Sequence, residues 1–204
     1  MGGGRRAGRL CCRVPSRDRR PLRTSDSDLL IVPGLNGSGA DHWQSRWEAK
    51  LSTARRVEQE SWERPNARAW IRRIAEAVEA AERPVILVAH SLGAVAVAHA
   101  APLLPPGKVR GAFLVAPPDL DDPDAVPGLD PAFAPLPRDP LPFPSLLVAS
   151  RTDPYLGFER ADDIAAAWGS ALVDAGESGH LNPASGHGPW PEGLMRLAGF
   201  LKGL

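Results

Sequence analysis

The chain has 204 residues, 43% hydrophobic and 24% charged, enough to bury the core of one soluble domain while leaving no room for a second full one. Its formal charge of zero hides an asymmetry: residues 1–23 hold eight Arg and one Asp, a net +7, whereas the remainder sets 16 basic against 23 acidic residues, a net −7. An acidic body argues against an enzyme of nucleic acids. The apolar runs Leu29 to Val32, Val85 to Ala89 and Leu146 to Ala149 are strand-sized and far short of the roughly 20 residues that cross a bilayer.

The leader, MGGGRRAGRLCCRVPSRDRRPLR, has neither the apolar centre of a secretory signal nor a helical apolar face, so a disordered tail is expected over 1–23, with one domain over 24–204. An Arg-rich tail can also serve as a transit peptide or touch nucleic acid; a solvated tail requires least. Cys11 and Cys12 are the only cysteines. Neighbouring cysteines rarely bridge each other, and two cannot complete a four-ligand zinc site, so no disulfide framework or metal is expected. A body without cysteine fits a reducing cytoplasm.

From Asp28 onward, short apolar runs alternate with longer helical patterns, the signature of an α/β class with a parallel sheet. Strands are expected at Asp28 to Val32, Arg56 to Gln59, Pro84 to Ala89, Val109 to Val115, Ser145 to Ser150 and Ala171 to Asp174. Helices are expected at Asp41 to Leu51, Ala67 to Ala81, Leu92 to Leu104, Phe158 to Trp168 and Pro191 to Leu201. The stretch Pro117 to Pro144 holds ten prolines in 28 residues and must be loop. It leaves space for a short flap but not for a large cap domain.

Three polar residues fall just after the ends of three expected strands: Ser91 after VILVA, Asp153 after SLLVAS and His180 after SALVDAG. The carboxyl ends of strands are where open α/β sheets build sites. The order serine, acid, histidine is that of an α/β-hydrolase, and AHSLG reads as a nucleophile elbow with Ala89 in the first glycine position. Ser91 is therefore the candidate nucleophile; its bland reading is an N-cap. Asp153 is the candidate acid, or a turn residue ahead of Pro154. For the base, His42 and His99 fall inside expected helices, and His90 should point away from its neighbour Ser91. His180 and His187 remain, and direct succession to the last strand favours His180. An oxyanion needs two N–H donors. Leu92 supplies one, and the glycine-rich turn PGLNGSG offers Leu35 or Asn36 as the other. Trp43 and Trp62 stand near element ends as candidates for the pocket, although most tryptophans pack cores.

These stretches, with SWERPNARAW, SRTDPY and GHLNPASGHGPWPEG, give the chain a resemblance to the small serine hydrolases of the retinoblastoma-binding protein nine and YdeN-type family over most of residues 28–201. The resemblance implies a reduced α/β-hydrolase without a large cap and assigns the triad to Ser91, Asp153 and His180. The expected function is cleavage of a small ester or amide without a cofactor. The alternative is a hydrolase-fold module that binds a protein partner; binding of nucleic acid through the leader ranks lower.

Overall fold

The computed structural model describes residues 24–204; the basic stretch 1–23, with Cys11 and Cys12, lies outside the described residues. Six strands, β1 (Asp28–Val32), β2 (Ala54–Arg56), β3 (Val85–His90), β4 (Val109–Val115), β5 (Ser145–Ala149) and β6 (Ala171–Asp174), form one sheet in the order β2-β1-β3-β4-β5-β6, every pair parallel. Five α-helices accompany them: α1 (Trp43–Lys50), α2 (Ala67–Glu79), α3 (Leu92–Ala100), α4 (Phe158–Trp168) and α5 (Pro191–Lys202). The chain steps outward from β1 to β2, then reverses and adds β3 to β6 on the other side. Right-handed crossovers in opposite directions place their helices on opposite faces. Thus α2, α3 and α4 share a core with Leu30, Leu87 and Leu114, whereas α1 and α5 share one with Leu29, Ile31 and Val88. Alternate residues of each strand feed alternate cores, which is why DLLIV and VILVAH are buried throughout and read as unbroken apolar runs.

Helix α3 sits deepest. LGAVAVAHA is buried at every position except His99, and its small residues let the backbone press against the sheet. Helix α2 instead buries a stripe of Trp70, Ile74 and Val78, spaced four apart, and begins at Asn66, whose side chain accepts the Ala69 N–H at 3.0 Å. The reversal between β1 and β3 makes a topological switch point, and the loops leaving their carboxyl ends diverge around a crevice.

Several expected boundaries move, and three of the shifts have a plain physical reason. The second strand forms at Ala54–Arg56 rather than Arg56 to Gln59, because register with Leu29 to Ile31 decides its place. This edge strand needs no apolar run, and Arg56 turns back to Glu48 at 3.1 Å and to the Ser38 carbonyl at 3.0 Å. Helix α3 stops at Ala100, and Pro102, which has no N–H to give, tightens the next turn into a 3-10 helix over Ala101–Leu103. Helix α1 begins at Trp43, not Asp41, because His42 is extended and caps it. The proline-rich stretch is loop with a 3-10 turn at Pro131–Phe133, and its Leu120, Phe133, Leu136 and Phe143 are buried on the α2–α4 face. Among the described residues no cap domain stands over the sheet edge.

Candidate active site

Ser91 occupies the sharp turn between β3 and α3 with φ 54° and ψ −129°, a backbone conformation L residues rarely adopt. Its side chain caps nothing, which removes the N-cap reading. Two glycines make the turn. A Cβ on Gly93 would stand 2.3 Å from the Val32 carbonyl oxygen, and one on Gly34 would meet the Ser91 Cβ at 2.8 Å. Ala89 is fully buried in the strand, where the small side chain is accommodated. The turn is also tied to the sheet by Gln44, whose buried amide donates to the Val32 and Val88 carbonyls at 3.2 and 3.0 Å.

Two further loops reach Ser91. Asp153 follows β5 and His180 follows β6, and the two loops are laced together by small hydroxyls. Ser150 Oγ accepts the Ser178 N–H at 2.9 Å and donates to the Gly176 carbonyl at 3.1 Å, and Thr152 Oγ1 accepts the Gly179 N–H at 3.1 Å. His180 Nε2 lies 2.9 Å from Ser91 Oγ, and His180 Nδ1 lies 3.0 Å from both oxygens of Asp153. Asp153 also accepts the Tyr155 N–H at 3.0 Å, so the turn reading and the acid reading apply to one carboxylate. The His180 carbonyl accepts from His90 Nε2 at 2.9 Å, and the next carbonyl, Leu181, from Trp43 Nε1 at 2.9 Å. Leu181 itself has φ 50°, so the two ring N–H groups hold a strained segment in place. His187 is elsewhere: its Nδ1 faces Ser185 Oγ at 3.3 Å in the turn before α5.

A cavity of about 680 Å³ opens beside Ser91, His180 and the amides of Leu35 and Leu92. Its outer wall includes Pro118, Ala125, Val126 and Pro127 from the proline-rich loop, together with Tyr155, whose ring lies edge-on to His180 at 4.6 Å. The Asn36 N–H donates to the Trp62 carbonyl at 2.8 Å and is committed, whereas among the described residues neither Leu35 nor Leu92 N–H meets an acceptor. Asn36 still lines the cavity. Trp43 and Trp62, expected there, do not. Trp43 is fully buried with Trp47 and Trp190, its ring 4.6 and 5.0 Å from theirs, and Trp62 packs against Gly37 and Trp70. Trp43 is a core residue at the start of α1, and Trp62 is partly buried and packs against the core.

The histidines include two that sequence reasoning set aside. His90 makes no hydrogen bond to Ser91, and burial, followed by the nearness of His180 and His42, holds it well below the usual imidazole range. His42 lines the cavity, and burial, then Arg56 and His180, lowers it to about 4. Both are neutral at pH 7. His42 was hidden by the expected helix start at Asp41; the glycine-rich GSGADH preceding it is the signal that it ends a loop. Among the described residues there is no cluster of three or more metal-ligating side chains, and no helix is long and apolar enough to cross a membrane.

The parallel sheet, its switch point and a serine on a strained turn after β3 define an α/β-hydrolase fold. Residues 29–199 match the model of the family described as serine hydrolase, and the chain belongs to that family, in its YdeN-type branch. It is 37% identical to a YdeN-like hydrolase of Pectobacterium atrosepticum, whose structure aligns with a TM-score of 0.76 over 87% of this chain and 92% of that one. The ydeN gene product of B. subtilis shares the fold at 19% identity and a TM-score of 0.65, covering 85% and 98% of the two chains. The esterase domain of a Rhodothermus marinus protein does so at 18% and 0.63, covering 89% and 90%. Among curated proteins none matches the chain. The protein is a hydrolase by family; the identity of its working groups and its substrate is a separate matter.

Proposed function

We propose that the protein cleaves a small ester or amide through an acyl-enzyme formed on Ser91. The observation that carries this reading is the continuous hydrogen-bond line from Ser91 Oγ through His180 to Asp153, bordering a cavity with two idle amides. His180 Nε2 takes the Ser91 proton as Oγ attacks the substrate carbonyl carbon. The oxyanion receives the Leu35 and Leu92 N–H groups, which are fixed before the reaction and need no reorganisation. Collapse breaks the bond to the leaving group, which departs with the proton from His180. Water, deprotonated by His180, then attacks the acyl carbon and releases the carboxylic acid and free Ser91. Asp153 stays ionised throughout and holds the imidazole in the tautomer with hydrogen on Nδ1. His42 and His90, neutral and outside this line, do not compete for the proton.

The experiment is reaction with a fluorophosphonate, which captures activated serines, on the full chain and on Ser91→Ala. Labelling confined to Ser91 is expected, with loss of ester turnover on the order of 10⁶-fold in the variant and unchanged thermal unfolding. Turnover surviving in Ser91→Ala would overturn the mechanism; absent labelling of a folded protein would favour the alternative of a binding module.

A further inference from the structure

His42 brings to the cavity a hydrogen-bond donor that the acyl-enzyme chemistry leaves idle. Only 6% exposed, it stands at the N-terminus of α1 and lines the same space as Ser91. Its Nδ1 accepts the Gln44 N–H at 3.2 Å, which occupies that nitrogen's lone pair and places the hydrogen of the neutral ring on Nε2. Burial, Arg56 and His180 keep the ring neutral down to about pH 4, so this tautomer is the working form. Among the described residues Nε2 has no acceptor. Nor is it sealed from solvent: the unpartnered side-chain atoms that are sealed belong to Ser27 and Gln59. Trp43 and His90 pack against the ring with centroids at 5.3 and 4.8 Å, and the residue lines the cavity, which gives its unsealed Nε2 a space to open on. The other cavity imidazoles are committed, His90 to the His180 carbonyl and His180 to Ser91 and Asp153.

We propose that His42 is a specificity-determining residue whose Nε2–H binds an acceptor oxygen of the substrate, an ether, hydroxyl or carbonyl oxygen carried away from the scissile bond. The preferred substrates are then oxygen-bearing esters or amides rather than plain alkyl ones. A site with a fixed donor disfavours the analogue without the oxygen, because binding that analogue strips water from the donor and returns nothing. This inference rests on Ser91 being the nucleophile.

The test uses the full chain and two fluorophosphonates of equal chain length, one all-carbon and one interrupted by ether oxygens. Labelling rates at Ser91 are read by mass spectrometry and normalised to each probe's own hydrolysis. Wild type is expected to prefer the ether chain by about five- to tenfold, the worth of one neutral hydrogen bond. His42→Asn retains a side-chain cap for the Gln44 N–H but is too short to put a donor where Nε2 stands, and should erase the preference. His42→Gln, with a terminal amide that reaches that far, should restore part of it. Equal normalised rates on wild type, or an undiminished preference in His42→Asn, overturns the proposal while labelling itself leaves the Ser91 reading standing. Failure of both probes to label the folded protein removes the nucleophile reading and this inference together. Equal wild-type rates overturn the proposal even where a variant fails to fold.

Discussion

On one side of Ser91 the protein is packed backbone against backbone. Gly93 lies so close to Val32 and Pro33 that a single added carbon would overlap their carbonyls, and Gly34 abuts Ser91 itself. On the other side, Pro118 and Ala125 to Pro127 form the cavity wall from a loop anchored by the buried Leu120, Phe133, Leu136 and Phe143 and clamped by polar side chains. Arg160 grips Asp119 at 2.9 Å and also pairs with Asp121, His99 Nε2 donates to the Phe133 carbonyl at 2.8 Å, and Asp130 accepts the Ala67 N–H at 2.9 Å and the Ala132 N–H at 3.0 Å. Those two amides hold the Asp130 carboxyl below the usual range. The elbow tolerates no change because its contacts are hard and short. The wall can be rebuilt residue by residue, since each clamp is exposed or half-exposed. Position of the nucleophile therefore belongs to the first region, and shape of the substrate space to the second.

The comparison can be broken at four points. The largest effect is expected from Asp153→Asn: an amide cannot hold Nδ1–H as a carboxylate does, and kcat on an ester should fall by about 10⁴-fold. Denaturation should show the fold intact, and a loss under tenfold would mean that another group orients His180. Gly93→Ala should cost about 3 kcal/mol of stability or more, through overpacking against an immovable carbonyl, read as a lower urea midpoint with m unchanged. A midpoint within error of wild type would show that the elbow is softer than its distances imply.

Acid should come next. In the unfolded chain His42 titrates near 6.5, in the folded chain near 4, so between these values the unfolded state holds a proton that the folded state refuses. Stability from this group is present above pH 6.5 and is lost on descent toward pH 4, by on the order of 3 kcal/mol. His90, lowered well below its usual value, acts in the same direction. Urea midpoints at pH 7 and pH 5 measure the loss, and His42→Asn should flatten the slope; an identical slope would assign the acid sensitivity to other groups. The smallest effect is expected from Arg160→Met in the wall. Releasing Asp119 and Asp121 should lower stability by about 1 kcal/mol, the upper end for ion pairs near the surface, since these are partly covered. It should also raise KM by about threefold with kcat little changed, the pattern of lost uniform binding. A larger fall in kcat than in KM would show that the wall and the elbow are coupled.

The central strands were legible because a parallel strand buried on both faces must be a continuous apolar run, as in DLLIV and VILVAH. The edge strand β2 was misplaced by two residues at its start and three at its end because ARR carries no such run; its place comes from the register with Leu29 to Ile31. Ser91, Asp153 and His180 could be picked out from chain order and strand ends, and the structure brings Ser91 and Asp153 within hydrogen-bond distance of opposite nitrogens of His180. The supporting hydroxyls of Ser150 and Thr152, and the idle donor of His42, could not be seen in the same way. Each acts on a partner from another segment or through a tautomer set by a neighbour. Trp43 and Trp62 were misjudged for a related reason: an aromatic near a loop carries no mark of which way the loop turns it.

By itself the sequence determined the alternation of strands and helices, the serine turn, the absence of room for a cap and the succession of serine, acid and histidine. These are local properties, written in hydrophobic period, glycine placement and order along the chain. The tertiary structure alone decided that Leu35 rather than Asn36 keeps a free amide and that His42 opens on the cavity. Each of those outcomes depends on which distant carbonyl, ring or backbone comes within about 3 Å, the reach of a hydrogen bond. Such distances are set by packing two cores on opposite faces of one sheet, which no short stretch of the chain contains.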